Sequence, residues 1–232
     1  MVSETLSRPR ARLLETTTLA GLHDYVVEEV LRRFASPGQM AIDLGTGSGA
    51  LAVRLRALGW NTRAADINER GYKADVPFAK VDLNDRGFAA QLGEGAFSLV
   101  SAIEVIEHVE SPISFLRNVE RMLKPGGVAV ITTPNVDNAP ARVKFLLSGK
   151  VRMMDEHSEP THISPIFWDL LVRQHLPRAG LQVSEHLLYP RRGYKNTRKP
   201  YGWALRPMAW FLRGESLQGD NHVLVLQSKG TG

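Results

Sequence analysis

Ala41-Ile42-Asp43-Leu44-Gly45-Thr46-Gly47-Ser48-Gly49-Ala50 is the stretch on which the fold turns. An apolar run that suits a strand closes on Asp43, three alternate glycines follow, and a helical pattern begins at Ala50. Glycine at such a junction removes each Cβ and tolerates positive φ, so a ligand can lie directly on the backbone. The helix behind it offers unpaired N–H groups and the positive end of its dipole. This predicts a nucleotide-like ligand where the first strand of an α/β unit meets its helix.

Outward from that run, strands and helices alternate. Leu22, Val26, Val27, Val30, Leu31 and Phe34 recur at helical spacing within 19–34, and Ser36-Pro-Gly38 stops that helix. Strand one is expected over 39–44, helix two over 50–58, strand two over 62–65 and a short strand three near 78–81. Phe97–Ile103 reads as a buried strand. Ser111-Pro112 then starts a helix, with Ser as cap and Pro in the first turn. That helix carries Ile113, Leu116, Val119, Met122 and Leu123 on one face and ends at Lys124-Pro-Gly-Gly127. Val128–Thr133 is nearly continuous in apolar and β-branched residues, the mark of a strand covered on both faces. Further helices are expected over 141–147 and 166–176, and further strands over 181–189 and 223–227. Such alternation predicts a parallel, doubly wound sheet.

Length and composition set bounds. The 232 residues, 43% hydrophobic and 23% charged, suit one α/β domain with an insertion. Residues 1–18 read as a flexible lead-in to a single domain over 19–232. No run approaches the roughly 20 apolar residues of a membrane span, and Met1–Arg10 lacks the apolar core of a secretory signal. Zero cysteine excludes disulfides and cysteinyl metal sites and fits a reducing cytoplasm. The net charge of +5 is local: Arg191, Arg192, Lys195, Arg198, Lys199, Arg206 and Arg213 lie together without an acid.

Gly45-x-Gly47-x-x-Ala50 also satisfies the dinucleotide fingerprint, which keeps an NAD-dependent oxidoreductase as an alternative. Asp43, two residues before the first glycine, suits a cationic ligand better than a pyrophosphate. The chain also lacks a hydride-transfer constellation. Downstream stand Asp66-Ile67 at the end of strand two, Val81-Asp82-Leu83, Glu104-Val-Ile-Glu-His-Val109 and Leu123-Lys-Pro-Gly-Gly127. With the glycine run, these landmarks resemble a class I S-adenosylmethionine-dependent methyltransferase. The likeness is greatest to the branch of the ubiquinone-pathway O-methyltransferases, and it covers about residues 20–190 plus the last strand.

The resemblance implies a seven-stranded, mostly parallel sheet with an antiparallel last strand, in the Rossmann-like manner. It also implies S-adenosylmethionine as cofactor, with S-adenosylhomocysteine as product. Asp43, Gly45, Thr46, Gly47 and Gly49 would form its cradle, with Asp43 toward the amino-acid end. Asp66, at the spacing where an acid on the second strand grips ribose hydroxyls, would be joined by Ile67. Asp82 and Leu83 would flank the adenine, and Glu104 would border the methionine part. An aspartate ending a strand can instead cap the next turn, which is the plainer explanation for each acid taken alone.

An oxygen acceptor needs a base. His108, just after strand four, and His162, in Pro160-Thr-His-Ile-Ser164, compete for that role, with His157 a weaker candidate; either can equally be a structural hydrogen-bonding residue. Glu104, Glu107 and His108 together also have donors for a divalent metal such as Mg²⁺, although nothing else requires one. Methyl transfer from the sulfonium to an oxygen of a small or lipid-linked acceptor is the expected reaction. Nitrogen or carbon acceptors and a non-catalytic S-adenosylmethionine-binding module are the alternatives.

The acceptor or lid region is expected over 135–178. Over 190–219 lies an insert in which basic residues alternate with Tyr201, Trp203, Trp210 and Phe211. That composition at 190–214 fits an anionic membrane surface, and so peripheral placement on the inner face of the membrane. It also fits an anionic soluble acceptor or a surface loop with solvated charges, and least of all nucleic acid.

Overall fold

The computed structural model describes residues 14, 18–154, 160–195, 214 and 216–229. Its strands are β1 (Met40–Leu44), β2 (Asn61–Asp66), β3 (Phe78–Lys80), β4 (Phe97–Ile103), β5 (Leu123–Pro134), β6 (Leu181–Tyr189) and β7 (Asn221–Ser228). They form one sheet in the order β3-β2-β1-β4-β5-β7-β6. Pairs from β3 to β5 are parallel, and β7 runs antiparallel to both neighbours. The doubly wound sheet with its reversed last strand is the one expected.

Both faces are covered, as the alternation along the central strands requires. Ile42, Leu44, Val100, Ala102, Ala129 and Ile131 point into one core, against Phe115, Leu116, Val119 and Met122 of α4 (Pro112–Met122). Ala41, Leu99, Ile103, Val128 and Val130 point into the other. There they meet α1 (Leu22–Glu29) and α2 (Ala50–Ala57). Each fully buried Leu or Phe contributes roughly 1.5–3 kcal/mol. α4 starts as expected: Ser111 Oγ accepts the Ser114 N–H at 3.3 Å and Pro112 occupies the first turn.

Three departures have physical causes. The expected helix over 19–34 is α1 followed by a 3₁₀ turn, Leu31–Phe34, because Val30 at φ −122° leaves the helical region. Its start at Gly21 is set from β6: a Cβ there would lie 2.5 Å from the Tyr189 hydroxyl, which donates to Ala20 O at 2.6 Å. The five-residue α3 (Phe88–Leu92) is too short to show a period. It is held from α4, where Asn118 Oδ1 accepts the Ala89 N–H at 3.0 Å. Lys124-Pro-Gly-Gly127 falls within β5, at the irregularity where Phe97 pairs with Leu123 but Leu99 with Val128.

Beyond β5, α5 (Ala139–Ser148) is capped by Asn138, whose Oδ1 accepts the Ala141 N–H at 3.0 Å. The helical run over 168–178 contains a π-helical stretch, Leu171–His175. Of the lead-in, Leu14 packs beside Ala52, Val53, Ala64 and Val76, and Thr18 is partly buried. Most of the basic insert, 196–213 and 215, lies outside the described residues, as does His157. Among the described residues no helix is long and apolar enough to cross a membrane.

Candidate active site

A cavity of about 870 Å³ opens at the carboxyl ends of β1 and β4. These adjacent strands flank the point where the strand order reverses, the place an open α/β sheet puts its ligand. The volume suits a small-molecule site. Asp43, Gly45, Thr46, Gly47 and Ser48 form one wall, and Ile103, Glu104, His108, Thr161 and His162 another. Arg152, Met153, Asp220 and Asn221 close the side toward α5 and β7, and Thr18, Leu19, Ala20 and His23 the side toward α1.

The three glycines do different work. Gly47 sits at φ +54° and a Cβ there would meet nothing within 4 Å, so this residue leaves room for a ligand against the backbone. Gly45, at φ +63°, is demanded by packing, since a Cβ would lie 2.5 Å from Val105 Cγ2. Gly49, at φ +87°, would bring its Cβ to 2.4 Å from that of Ala74. Gly45→Ala is therefore expected to destabilise the fold by about 1–3 kcal/mol. Denaturant unfolding checks this, and an unchanged midpoint would contradict it.

Asp43 is buried at the end of β1. Its Oδ2 accepts from Thr46 Oγ1 at 2.6 Å and its Oδ1 from Ser101 Oγ at 2.7 Å. Burial pushes its pKa up to about 6, against the two hydroxyl donors, which favour the charged form. A cationic ligand would restore the carboxylate. Asp66 stands at the edge of the cavity and straps the loop: it accepts the Gly47 N–H and the Asn68 N–H, each at 2.8 Å. The loop is thus preshaped by the same acid that the sequence singles out for ribose.

Glu104 adopts φ +55°, a left-handed conformation that is uncommon outside glycine. Its N–H is shared between Thr132 O at 3.2 Å and Thr132 Oγ1 at 3.0 Å. The carboxylate accepts from Leu19 N–H at 3.2 Å and from the Asn221 amide. Burial raises its pKa, opposed by those donors and by His162.

His108 and His162 come together from the two ends of a long sequence separation, with ring centroids 4.7 Å apart in an edge-to-face pair. His108 Nδ1 lies 3.0 Å from Thr161 O, and His162 Nδ1 lies 2.9 Å from Met153 O. A carbonyl only accepts, so each Nδ1 carries the proton and each neutral ring keeps its lone pair on Nε2. Below them Glu107 is fully buried with both carboxylate oxygens unpaired. Burial, with Glu104 adding to it, holds its pKa well above the usual range. Donor atoms of Glu107, His108 and His162 lie within 4.8 Å of one another, a set that could hold a divalent cation. His162, rather than Glu104, completes that set.

Asp43, Gly45, Thr46, Gly47, Glu104, His108 and His162 thus all line one cavity. Gly49 and Asp66 brace its wall from behind, while Ile67, Asp82 and Leu83 stand outside its lining. Ile67 is 59% exposed at the end of β2, and Asp82 accepts the Asn84 N–H at 2.9 Å. Sequence spacing had not pointed to Arg152, Asp220 or Asn221. Arg152 forms a buried ion pair with Asp220 at 3.1 Å and donates to Asn138 Oδ1 at 3.1 Å. Only the β5–β7 pairing brings these residues to the cavity, so no local pattern could have found them.

The cradle fits S-adenosylmethionine on this structure's own terms. Open backbone at Gly47 and two buried carboxyls in one cavity, both with raised pKa, favour a ligand carrying ammonium and sulfonium charge. A sequence model described as "Methyltransferase domain" matches residues 19–195. Two curated relatives are both named ubiquinone biosynthesis O-methyltransferase. That of Caulobacter vibrioides is 34% identical over 126 residues, covering 48% of this chain and 50% of its own length. That of Roseobacter denitrificans is 35% identical over 130 residues, covering 48% and 51%. The chain spans about half the length of the curated relatives it matches.

Among solved structures, an S-adenosylmethionine-dependent methyltransferase from Archaeoglobus fulgidus superposes with a TM-score of 0.57 at 16% identity, covering 88% of this chain and 93% of that one. The [4+2]-cyclase SpnF superposes with a TM-score of 0.56 at 18% identity, covering 89% and 80%. These two share the fold but carry different names for what they do, so architecture alone does not fix a reaction. The family match runs through the glycine loop and both histidines, and it decides against the dinucleotide alternative. The chain belongs to the methyltransferase-domain family, the S-adenosylmethionine-dependent class that its glycine run and downstream acids resemble.

Proposed function

We propose that this protein transfers a methyl group from S-adenosylmethionine to an oxygen of a small or lipid-linked acceptor. The observation that carries the proposal is the pair His108 and His162, each with Nδ1–H held by a backbone carbonyl, in the same cavity as Asp43 and Glu104. Asp43, Gly45, Thr46, Gly47 and Glu104 hold the cofactor directly, Gly49 and Asp66 keep the loop in shape, and Ile67, Asp82 and Leu83 extend toward the adenine side. When bound, S-adenosylmethionine supplies a methyl group already activated by positively charged sulfur. What the protein must add is proximity and removal of a proton. One imidazole Nε2 accepts the acceptor hydroxyl's proton while the backbone carbonyl behind it keeps the ring in that tautomer. Support for oxygen over nitrogen or carbon comes from the names of the curated relatives.

A second role for the same imidazoles is favoured by the unpaired Glu107 carboxylate: Glu107, His108 and His162 would hold a divalent cation that lowers the acceptor's pKa. Loss of turnover on chelation, restored by added metal, selects this role; turnover indifferent to chelation selects base catalysis. The acceptor approaches past 135–178, and the basic segment 190–214 adds attraction to an anionic membrane surface, so that the protein works peripherally on the cytoplasmic face.

Cofactor binding is tested by melting. S-adenosylhomocysteine is expected to raise the melting temperature and NADH to leave it unchanged. A shift with NADH alone would overturn the assignment.

A further inference from the structure

The tip of α5 carries apolar side chains that the fold leaves bare. Phe145 is 55% exposed, Leu146 74% and Leu147 79%, three consecutive residues over the last turn of the helix. A core-facing helix turns such residues inward at every third or fourth position, whereas a run of three in water needs another explanation. Neither charge nor place is neutral. The stretch 138–154 contains Arg142, Lys144, Lys150 and Arg152, and its first carboxylate neighbour downstream is Asp155. Five residues after Leu147 the chain reaches Arg152 and Met153 in the cavity wall, no more than about 17 Å of extended chain away.

We propose that the α5 tip inserts Phe145, Leu146 and Leu147 into an anionic lipid surface and so sets the cavity mouth against the membrane. This rests on the proposed lipid-linked acceptor, which such docking would deliver to the side lined by Arg152, Met153 and His162. Apolar area enters the acyl boundary while the local positive charge meets anionic headgroups. A bilayer fits better than a protein groove because both terms are present at one projecting helix end. The site differs from the basic segment 190–214, which contributes charge from elsewhere in the chain.

Sedimentation of the full chain with vesicles tests this. The protein is expected to bind vesicles of phosphatidylcholine mixed with phosphatidylglycerol and to bind phosphatidylcholine alone far less. Replacing Phe145, Leu146 and Leu147 together with serine should weaken binding by more than about tenfold, since each apolar side chain contributes on the order of one such factor. The melting temperature and its rise with S-adenosylhomocysteine should not change, because the three side chains are exposed and outside the cavity lining. Undiminished binding by the triple variant, equal binding to neutral vesicles, or no binding by the parent chain would each overturn the proposal. So would a triple variant that alters oligomeric state alone, which would make the tip a contact between copies. Loss of the S-adenosylhomocysteine shift in the parent chain would instead count against the methyltransferase reading, whatever the vesicles show.

Discussion

Replacing His108 and His162 together with alanine is expected to lower turnover by about a hundred- to ten-thousandfold, the range of positioned acid–base catalysis. S-adenosylhomocysteine should still raise the melting temperature of the variant, because neither ring belongs to the glycine loop. The single variants should fall less than the double: the rings lie 4.7 Å apart, and either Nε2 can serve the same hydroxyl. Each substitution also removes one hydrogen bond to a backbone carbonyl, Thr161 O or Met153 O. That loss costs about 1 kcal/mol of stability, too little to explain a collapse in rate. Full turnover in the double variant would remove both histidine base catalysis and the metal role of the same residues.

Asp43→Asn should change two properties in opposite directions. Ligand-free, the variant should be more stable at neutral pH. Burial raises the folded pKa of Asp43 from 3.8 to about 6, so the native state holds the proton more tightly than the unfolded chain. Stability from this group is then present at low pH and is lost as pH rises through about 6, by linkage. Keeping the ionised carboxylate buried costs on the order of 3 kcal/mol, which the amide avoids while still accepting from Ser101.

Cofactor affinity should fall with the same substitution, by about ten- to a hundredfold, as expected for losing a charged partner of a cationic ligand. Binding to the parent protein should also weaken as pH drops below about 6, where Asp43 takes up its proton. The variant should retain only the share of that dependence contributed by Glu104, whose pKa is also raised. Titration calorimetry across this window checks both signs. A variant that is less stable and binds as tightly as the parent would contradict the role given to Asp43.

What the sequence disclosed follows from how local each signal is. β1, β4 and α4 could be read to within a residue or two because their apolar alternation and the Ser111-Pro112 start are written in consecutive residues. The glycine run located the cavity, but not the division of labour within it. Only the folded neighbours Val105 and Ala74 show that Gly45 and Gly49 serve packing while Gly47 faces open space. His108 and His162 were separate candidates in the sequence, and nothing local says that their rings touch.

Glu104 illustrates the same limit. Its place after β4 was legible, but its positive φ and its bonds to Leu19 and Asn221 depend on α1 and β7 arriving from opposite ends of the chain. Asn221 and Arg152 gave no signal at all. Their roles come from the antiparallel β5–β7 pairing and the buried Arg152–Asp220 ion pair, both products of topology.

The central claim is tested most directly by incubating the purified protein with S-adenosylmethionine carrying an isotopically labelled methyl group and an extract of its host, with products analysed by mass spectrometry. The predicted result is labelled methyl on an oxygen of a small or lipid-soluble product, absent when His108 and His162 are both replaced. Tight binding of S-adenosylhomocysteine with no label transferred to any product would contradict it and identify a binding module instead.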